Sequence, residues 1–429
     1  MGKNEILFSF NRRFIFYPAL IACVVTILIS MPNEDNNSIL NSWALVLFSI
    51  SAFVESVHSG SIRRIFSSPW WILCIIFFLW LALTYFWDSS GGYTMKELER
   101  YALFLFVPAL MAAMPKIPAK KVIWTCLAFV FSTIIITFVC LLKSLIQYRL
   151  TGDYRVFYYH YLSQQAGISA IYLSGYCVAA ITWLLYFGFI YQAVQPVKKG
   201  LAVAISVYLS FIVFLLSSKM VIFILFCLLI FFVLYIGFLQ KKIWVSILIL
   251  LSVFIGASIA LSQLPYLRWR MAVTKVEKYS GEKDDQNGLA VRSVMWSSAL
   301  ELIHKRPFAG YGIRGANIEL QKKYSEKHFE IGLAEKFNCH NQYLETTLKS
   351  GIVGVLIFLS ILISALVTGI RQKNFLLVVL VVHYLCTSVV ESTIEVQRGL
   401  AFFFFFISLF YYHSPGQRPT EKITENLPQ

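Results

Sequence analysis

The sequence predicts an all-α integral membrane protein of about twelve transmembrane helices with one large periplasmic loop containing amphipathic helices, and three observations carry that reading. Of its 429 residues 58% are hydrophobic and only 14% are charged, a balance that cannot be folded into water-facing globules. Apolar runs of roughly 18 to 25 residues recur along the chain, long enough to cross about 30 Å of hydrocarbon as helices. The runs are continuous rather than alternating, and only helices and closed barrels satisfy their own backbone in lipid, so continuous runs mean helices.

Taken in order, the spans fall at 14–31, 38–57, 70–87, 101–114, 122–142, 166–194, 201–217, 219–239, 243–262, 351–370, 375–390 and 398–413. The first follows Arg12 and Arg13, lacks a small-residue cleavage site and is followed by further spans, so it reads as a retained helix. The fourth is short and contains Pro108. Losing one span would invert everything after it, so the charges arbitrate. With the amino terminus inside, every cytoplasmic segment is basic: Arg63 and Arg64, Lys116, Lys120 and Lys121, Lys198 and Lys199, Lys241 and Lys242, Arg371 and Lys373, Arg418 and Lys422. The short loops on the other side hold a sparser set, Lys96, Arg100, Lys143, Arg149, Arg155, Lys219 and Arg398. The positive-inside rule is therefore met, and a long loop is exempt from it. The expected layout is nine helices in 1–262, a periplasmic catalytic loop at 263–350, three helices in 351–413 and a cytoplasmic tail at 414–429, in a bacterial inner membrane with both termini cytoplasmic.

Several classes are set aside by the same reading. A net charge of +15 would suggest nucleic acid in a soluble protein, but here the cations are divided among short loops and one large one, and no nucleic-acid partner is expected. Seven of the eight cysteines lie in or beside apolar runs and only Cys339 lies in the large loop, which gives neither a disulfide framework nor a CxxC metal pair. No internal repeat is evident, against an inverted-repeat transporter. The run Phe402 to Phe406 is the composition of a lipid-facing or packed helix.

The large loop carries the candidate chemistry. Val291, Val294, Met295, Ala299 and Leu302 recur at helical spacing, with Arg292 and Trp296 four apart on a neighbouring face, so 290–303 reads as an amphipathic helix near the membrane. Pro307-Phe308-Ala309-Gly310-Tyr311-Gly312 is turn-rich, with glycines that permit close backbone approach; away from a strand and from cytoplasmic nucleotide it is a turn rather than a phosphate loop. Beyond a charged run at 322–335 come Asn338 to Glu345, in which His340, Tyr343 and Thr347 are expected to share a helical face. Histidine exchanges a proton most readily near neutral pH, so His340 is a candidate base; the commoner role for such a residue is capping or packing. Cys339 is discounted as a nucleophile, because neighbours on a helix point about 100° apart. His304, His328 and His340 show no ligand spacing, and no metal or cofactor is expected.

His340-Asn341-Gln342-Tyr343-Leu344 followed by Gly351-Ile352-Val353-Gly354 resembles the HNxYL and GxxG signature of the O-antigen ligase and polymerase superfamily. Arg292 with Trp296 is similar to that family's R-x3-W helix, and residues 307–312 to its P-x2-GxG turn. Leu216-Ser217-Ser218-Lys219 stands where the family has a serine-rich span end followed by arginine; lysine keeps the charge but not the bidentate geometry. Arg155, Tyr158, Tyr159 and His160 resemble a weaker element before the sixth helix. The resemblance implies transfer of a polysaccharide from an undecaprenyl-diphosphate-linked O-antigen donor to the lipid A-core acceptor, in contact with membrane lipids and without nucleotide or metal. It implies His340 as the catalytic base, Arg292 and Lys219 on the diphosphate, and Asn341, Tyr343, Trp296, Arg314 and Arg155 as substrate-binding candidates. Glu391, Glu395 and Arg398, at the outer end of the last helix pair, read first as an internal ion pair and second as a substrate contact.

Overall fold

A computed structural model describes residues 13–29, 39–92, 95–191, 198–245, 247–248, 250–251, 255–256 and 288–415. Among them the regular elements are all helical. The elements are α1 (Arg13–Ile29), α2 (Ile39–His58), α3 (Pro69–Leu83), α4 (Met95–Glu99), α5 (Leu103–Ala113), α6 (Ala119–Thr151), α7 (Tyr159–Gln164), α8 (Ala170–Leu185), α9 (Lys199–Leu216) and α10 (Lys219–Leu239). They continue with α11 (Gly288–Lys305), α12 (Ile313–Glu326), α13 (Glu330–Ala334), α14 (Gln342–Arg371), α15 (Phe375–Ser388) and α16 (Gln397–His413).

Local chemistry sets many of these ends. Ser68 caps α3 by accepting from the Trp71 N–H, with Pro69 at the first helical position where its missing N–H costs nothing. Gly152 ends α6 in the left-handed conformation, and Asn374 caps α15 by accepting from the Leu377 N–H.

Seven of the described helical segments are long and apolar enough to cross a membrane, and Ile15–Leu28 and Phe375–Ser388 are shorter apolar helices. The sequence predicted about twelve. The fourth expected span, 101–114, becomes the eleven-residue α5, shortened at its start by a 3-10 turn at Arg100–Ala102. At about 1.5 Å per residue that helix cannot cross about 30 Å of hydrocarbon alone. Most of the expected ninth span, 243–262, lies outside the described residues.

The centre of the bundle is α8 and α16. Every residue of α8 is buried, as is nearly every residue of α16, while α2, α3 and α6 turn large apolar side chains such as Trp43, Ile50, Leu79, Phe131 and Phe138 outward. The phenylalanine run therefore packs inward: Phe404 meets Phe104 at 4.2 Å between ring centroids, Phe406 meets Trp183 at 4.5 Å and Phe402 meets Phe129 at 5.2 Å. These are tilted and stacked contacts of the kind that favour aromatic pairs.

A second, smaller core stands on this bundle. Val291, Met295, Ala299 and Leu302 of α11 pack with Leu320 and Tyr324 of α12, with Phe329 and Cys339, and with Leu348 near the start of α14. Its joint with the bundle is a break in α14 at Gly351, whose φ of 69° and ψ of −174° are open essentially to glycine alone. The break removes helical partners from the preceding carbonyls, and the turn at 307–312 replaces them. The Tyr311 N–H donates to the Leu348 carbonyl at 2.9 Å, the Gly312 N–H to the Lys349 carbonyl at 2.9 Å, and the Ile352 N–H to the Pro307 carbonyl at 2.8 Å. Trp80 Nε1 donates to the Ser350 carbonyl at 2.9 Å and Trp87 Nε1 to the Ala309 carbonyl at 2.8 Å. Asp88, just past α3, accepts from the Arg314 N–H at 3.1 Å and the Gly315 N–H at 3.1 Å and so holds the start of α12.

A Cβ on Gly351 would press into the Phe308 carbonyl, whereas one on Gly200 of α9 would meet nothing within 4 Å. Gly351→Ala is expected to cost at least about 1–3 kcal/mol in backbone strain and to lower the thermal midpoint in detergent, while Gly200→Ala leaves it unchanged or raised. Scanning fluorimetry of the two variants checks this, and equal midpoints would contradict the role given to the break.

Candidate active site

The site grows from the turn that starts α14. Asn341 is the cap of that helix, its side-chain oxygen accepting from the Tyr343 N–H at 3.0 Å and the Leu344 N–H at 3.1 Å. His340 lies before the cap in a left-handed conformation with φ of 42°, and its N–H donates to Asn338 Oδ1 at 2.9 Å. The expected helical face shared by His340, Tyr343 and Thr347 is thus corrected: Tyr343 and Thr347 are helical, and His340 is not. The capping asparagine stops the helix and turns the imidazole away from it, toward the segment after α15.

That segment, residues 389–396, presents Glu391. His340 Nδ1 lies 3.3 Å and 3.4 Å from the two Glu391 carboxylate oxygens, which leaves Nε2 facing away from the carboxylate. The His340 side chain is 30% exposed and that of Glu391 only 7%, so the ring has access to a substrate while its partner does not. Arg292, on α11, reaches the same segment: Nη2 donates to the Val390 carbonyl at 3.4 Å, and its charge acts on Glu391. Arg292 Nε is a buried donor with no hydrogen-bond partner among the described residues. Trp296, one turn further along α11, donates Nε1 to the Cys339 carbonyl at 3.0 Å and so fixes the residue next to His340.

Below this pair lies a buried ionic cluster. Lys349 Nζ sits 2.9 Å from Glu345 Oε1 and 2.6 Å from Glu395 Oε2, and the three side chains are between 2% and 7% exposed. Arg100 adds an ion pair to Glu395 at 3.0 Å, and the Tyr101 hydroxyl donates to the same carboxylate at 2.9 Å. Glu345 in turn accepts from the Cys339 N–H at 3.1 Å. Each buried charge has an opposite neighbour, the condition on which such groups can be kept out of water.

The other residues expected from the sequence are placed as follows. Tyr343 donates its hydroxyl to the Leu385 carbonyl at 2.8 Å and ties α14 to the end of α15. Arg314 is exposed at the start of α12, its backbone N–H held by Asp88. Arg155 forms a local pair with Asp153, with Nε 3.0 Å from both carboxylate oxygens, and that pair rather than the His340 site engages its guanidinium. Lys219 is exposed at the first residue of α10. α10 runs antiparallel to α15, since Cys227 lies near Cys386 while Phe231 stacks on Phe375 and Phe232 meets it edge-on. Lys219 therefore emerges at the end of the bundle where α15 gives way to residues 389–396. The expected pairing within Glu391, Glu395 and Arg398 is redistributed: Glu391 faces His340, Glu395 faces Lys349, and Arg398 donates to the Gly167 carbonyl at 2.7 Å. Cys339 is wholly buried, and burial pushes its thiol well above the ordinary value, so it presents no thiolate. Among the described residues no group of three or more His, Cys, Asp or Glu side chains is placed to hold a metal ion.

Lys349 was not singled out from sequence, and Glu391 was read there as an internal ion pair first and a substrate contact second, not as the partner of His340. The available signal was ionisable residues at the ends of apolar runs, which membrane chains keep only with partners or a task. Burial pushes the Glu391 carboxyl up, but the charge and hydrogen bond of His340 and the charge of Arg292 pull it further down, leaving it below the ordinary carboxylate value. A carboxyl lowered on folding stabilises the fold above its unfolded value of about 4.3, and that contribution is lost as pH falls through the lower folded value. The gap in thermal midpoint between the native protein and Glu391→Gln is expected to be widest above about pH 5 and to close below about pH 4. A gap that widens on acidification would contradict this.

Residues 204–359 match the family model Wzy_C, described as O-antigen ligase. Arg292, Trp296, Arg314, His340, Asn341, Tyr343 and Lys219 all fall within that range, while Arg155, Glu391 and Glu395 fall outside it. A stretch of 142 residues, 33% of this chain, is 25% identical to an uncharacterized protein of Haemophilus influenzae and covers 36% of that protein. The chain thus spans about a third of the length of that relative. The histidine turn, the arginine helix and the break at Gly351 all lie inside the range that is similar to the O-antigen ligase family model.

Proposed function

We propose that the protein is an O-antigen ligase, a metal-independent glycosyltransferase that moves O-polysaccharide from undecaprenyl diphosphate to an outer-core sugar of lipid A-core on the periplasmic face of the inner membrane. The observation that carries this reading is the convergence of His340 and Arg292 on one segment, residues 389–396, at an end of the helical bundle.

The chemistry requires a base for the acceptor hydroxyl and cations for the departing diphosphate. His340 Nε2, turned away from Glu391, takes the hydroxyl proton as the acceptor oxygen bonds to the anomeric carbon. The bond from that carbon to the diphosphate oxygen breaks, and its electron pair leaves with the diphosphate. Arg292 meets that charge: among the described residues its Nε is a buried donor without a partner, and a planar guanidinium matches phosphate oxygens in pairs. Lys219 adds a point charge at the depth where a lipid headgroup lies, at the same end of the bundle. The outward-facing apolar sides of the helices give the polyprenyl chain a lateral approach from the bilayer.

Long-chain lipopolysaccharide is expected to disappear in His340→Ala and in Arg292→Ala cells whose protein level is unchanged, as read by gel ladder and immunoblot. A full ladder in either variant would remove that residue from the mechanism. The nearest second reading is an O-antigen polymerase, which uses the same donor with a carrier-linked acceptor, and the superfamily match accommodates both. A deletion strain separates them: loss of a ligase leaves polymerised chains on the carrier, whereas loss of a polymerase leaves core bearing a single repeat. A flippase would form no glycosidic bond with purified donor and acceptor.

A further inference from the structure

At the end of the bundle away from His340, α8 does not simply stop. After Leu185 it widens into a π-helical turn, Tyr186–Ile190, closed by the Tyr191 N–H on the Tyr186 carbonyl at 2.8 Å. Wide turns of this kind recur at functional sites. This one starts a row of stacked rings. Tyr191 stands 6.0 Å from Tyr186, and Tyr186 lies 5.5 Å from Phe375 of α15 with 7° between the planes. Phe375 is 5.4 Å from Phe231 of α10, and Phe231 is 5.6 Å from Tyr235. The five rings line a cavity of about 450 Å³, together with Gly369 and Ile370 of α14 and Lys373 in the turn to α15. That volume is in the range of small-ligand sites. Tyr186 and Tyr191 are buried at its inner end, where the Tyr191 hydroxyl donates to the Pro415 carbonyl at 3.4 Å. Phe231, Tyr235 and Ile370 are exposed on the outer surface of the bundle, so the cavity opens sideways between α10 and α14, where lipid would lie.

Depth and charge say what fits there. From the break at Gly351 to its end at Arg371, α14 rises by about 30 Å at 1.5 Å per residue, roughly one hydrocarbon thickness. Lys373 therefore emerges at the headgroup level of the leaflet opposite the His340 site. The sequence holds no Asp or Glu at 186–256 or at 346–390, the stretches that supply every lining residue. The same end of the bundle carries Lys198, Lys199, Lys241, Lys242, Arg371 and Lys373. A cavity with aromatic walls, a lysine in its lining and a cationic surround without carboxylates is complementary to an amphiphile with an anionic head. We propose that it binds one anionic phospholipid, its phosphate on Lys373 with the Tyr235 hydroxyl at hand, and its acyl chains leaving over Phe231 and Ile370 into the bilayer. In the expected orientation this is the cytoplasmic leaflet, where acidic lipids and basic pockets between helices meet. The lipid wedges α10 against α14 and α15 and takes no part in chemistry at His340.

The test is native mass spectrometry of the full-length purified protein in detergent, offered equal amounts of phosphatidylglycerol and phosphatidylcholine with the same acyl chains. Thermal midpoint in phosphatidylcholine alone reports whether each variant is folded. Wild type is expected to retain phosphatidylglycerol over phosphatidylcholine by about fivefold or more, the worth of one lysine near an anionic headgroup. Lys373→Gln is expected to bring the two lipids close to parity. Lys241→Gln removes an exposed charge from the same end but outside the cavity, and is expected to keep the wild-type preference. Tyr235→Ala is expected to lower retention of both lipids by shortening the aromatic wall. Equal retention of the two lipids by wild type would overturn the proposal. So would a preference lost as fully in Lys241→Gln as in Lys373→Gln, which would mean diffuse surface charge, or lipid retention untouched by Tyr235→Ala, which would put the lipid elsewhere. None of these results bears on the role of His340.

Discussion

The break of α14 at Gly351 is the constraint on which the rest depends. A continuous helix would keep the Leu348, Lys349 and Ser350 carbonyls for itself and leave nothing for the smaller core to hold. Broken there, it offers those three acceptors at the top of the bundle, and Tyr311, Gly312 and Trp80 take them. A buried carbonyl left without a donor costs about 1–3 kcal/mol, so the two glycine motifs are energetically one unit. Gly310 and Gly312 have no side chain because the opposing backbone and Asp88 occupy the space where a Cβ would stand.

The same joint decides where the charges go. Lys349 lies two residues before the break, buried between Glu345 and Glu395. Removing one member of such a buried set leaves an uncompensated charge and costs about 3–5 kcal/mol, which ties the position of residues 389–396 to the position of the break. Glu391 and the Val390 carbonyl follow from that anchor, and they are what His340 and Arg292 meet. Packing, ion pairing and site geometry are thus successive consequences of one backbone irregularity.

Much of the site was legible along the chain because its parts are local. The arginine and tryptophan of α11 lie four residues apart and share a helix; the asparagine cap, histidine and tyrosine lie within five residues; the glycine turn announces itself by composition. Where sequence reasoning missed, the missing information was conformational or long-range. A helical face for His340 assumed that α14 starts before it, whereas Asn341 caps the helix one residue later. The pair that Arg155 forms with Asp153, two residues away, was likewise not read from the sequence.

The sequence by itself determined that the chain is helical and apolar enough for a membrane, and which motifs follow one another in order. Hydropathy, capping and glycine conformations are properties of a few neighbouring residues, so they can be read from spacing. Only the tertiary structure decided that the phenylalanine run packs inward, that the glycine turn fills the gap in α14, and that Glu391, 51 residues beyond His340, is its partner. Those outcomes depend on which buried donor or charge finds its complement across the bundle, and no local pattern encodes that choice.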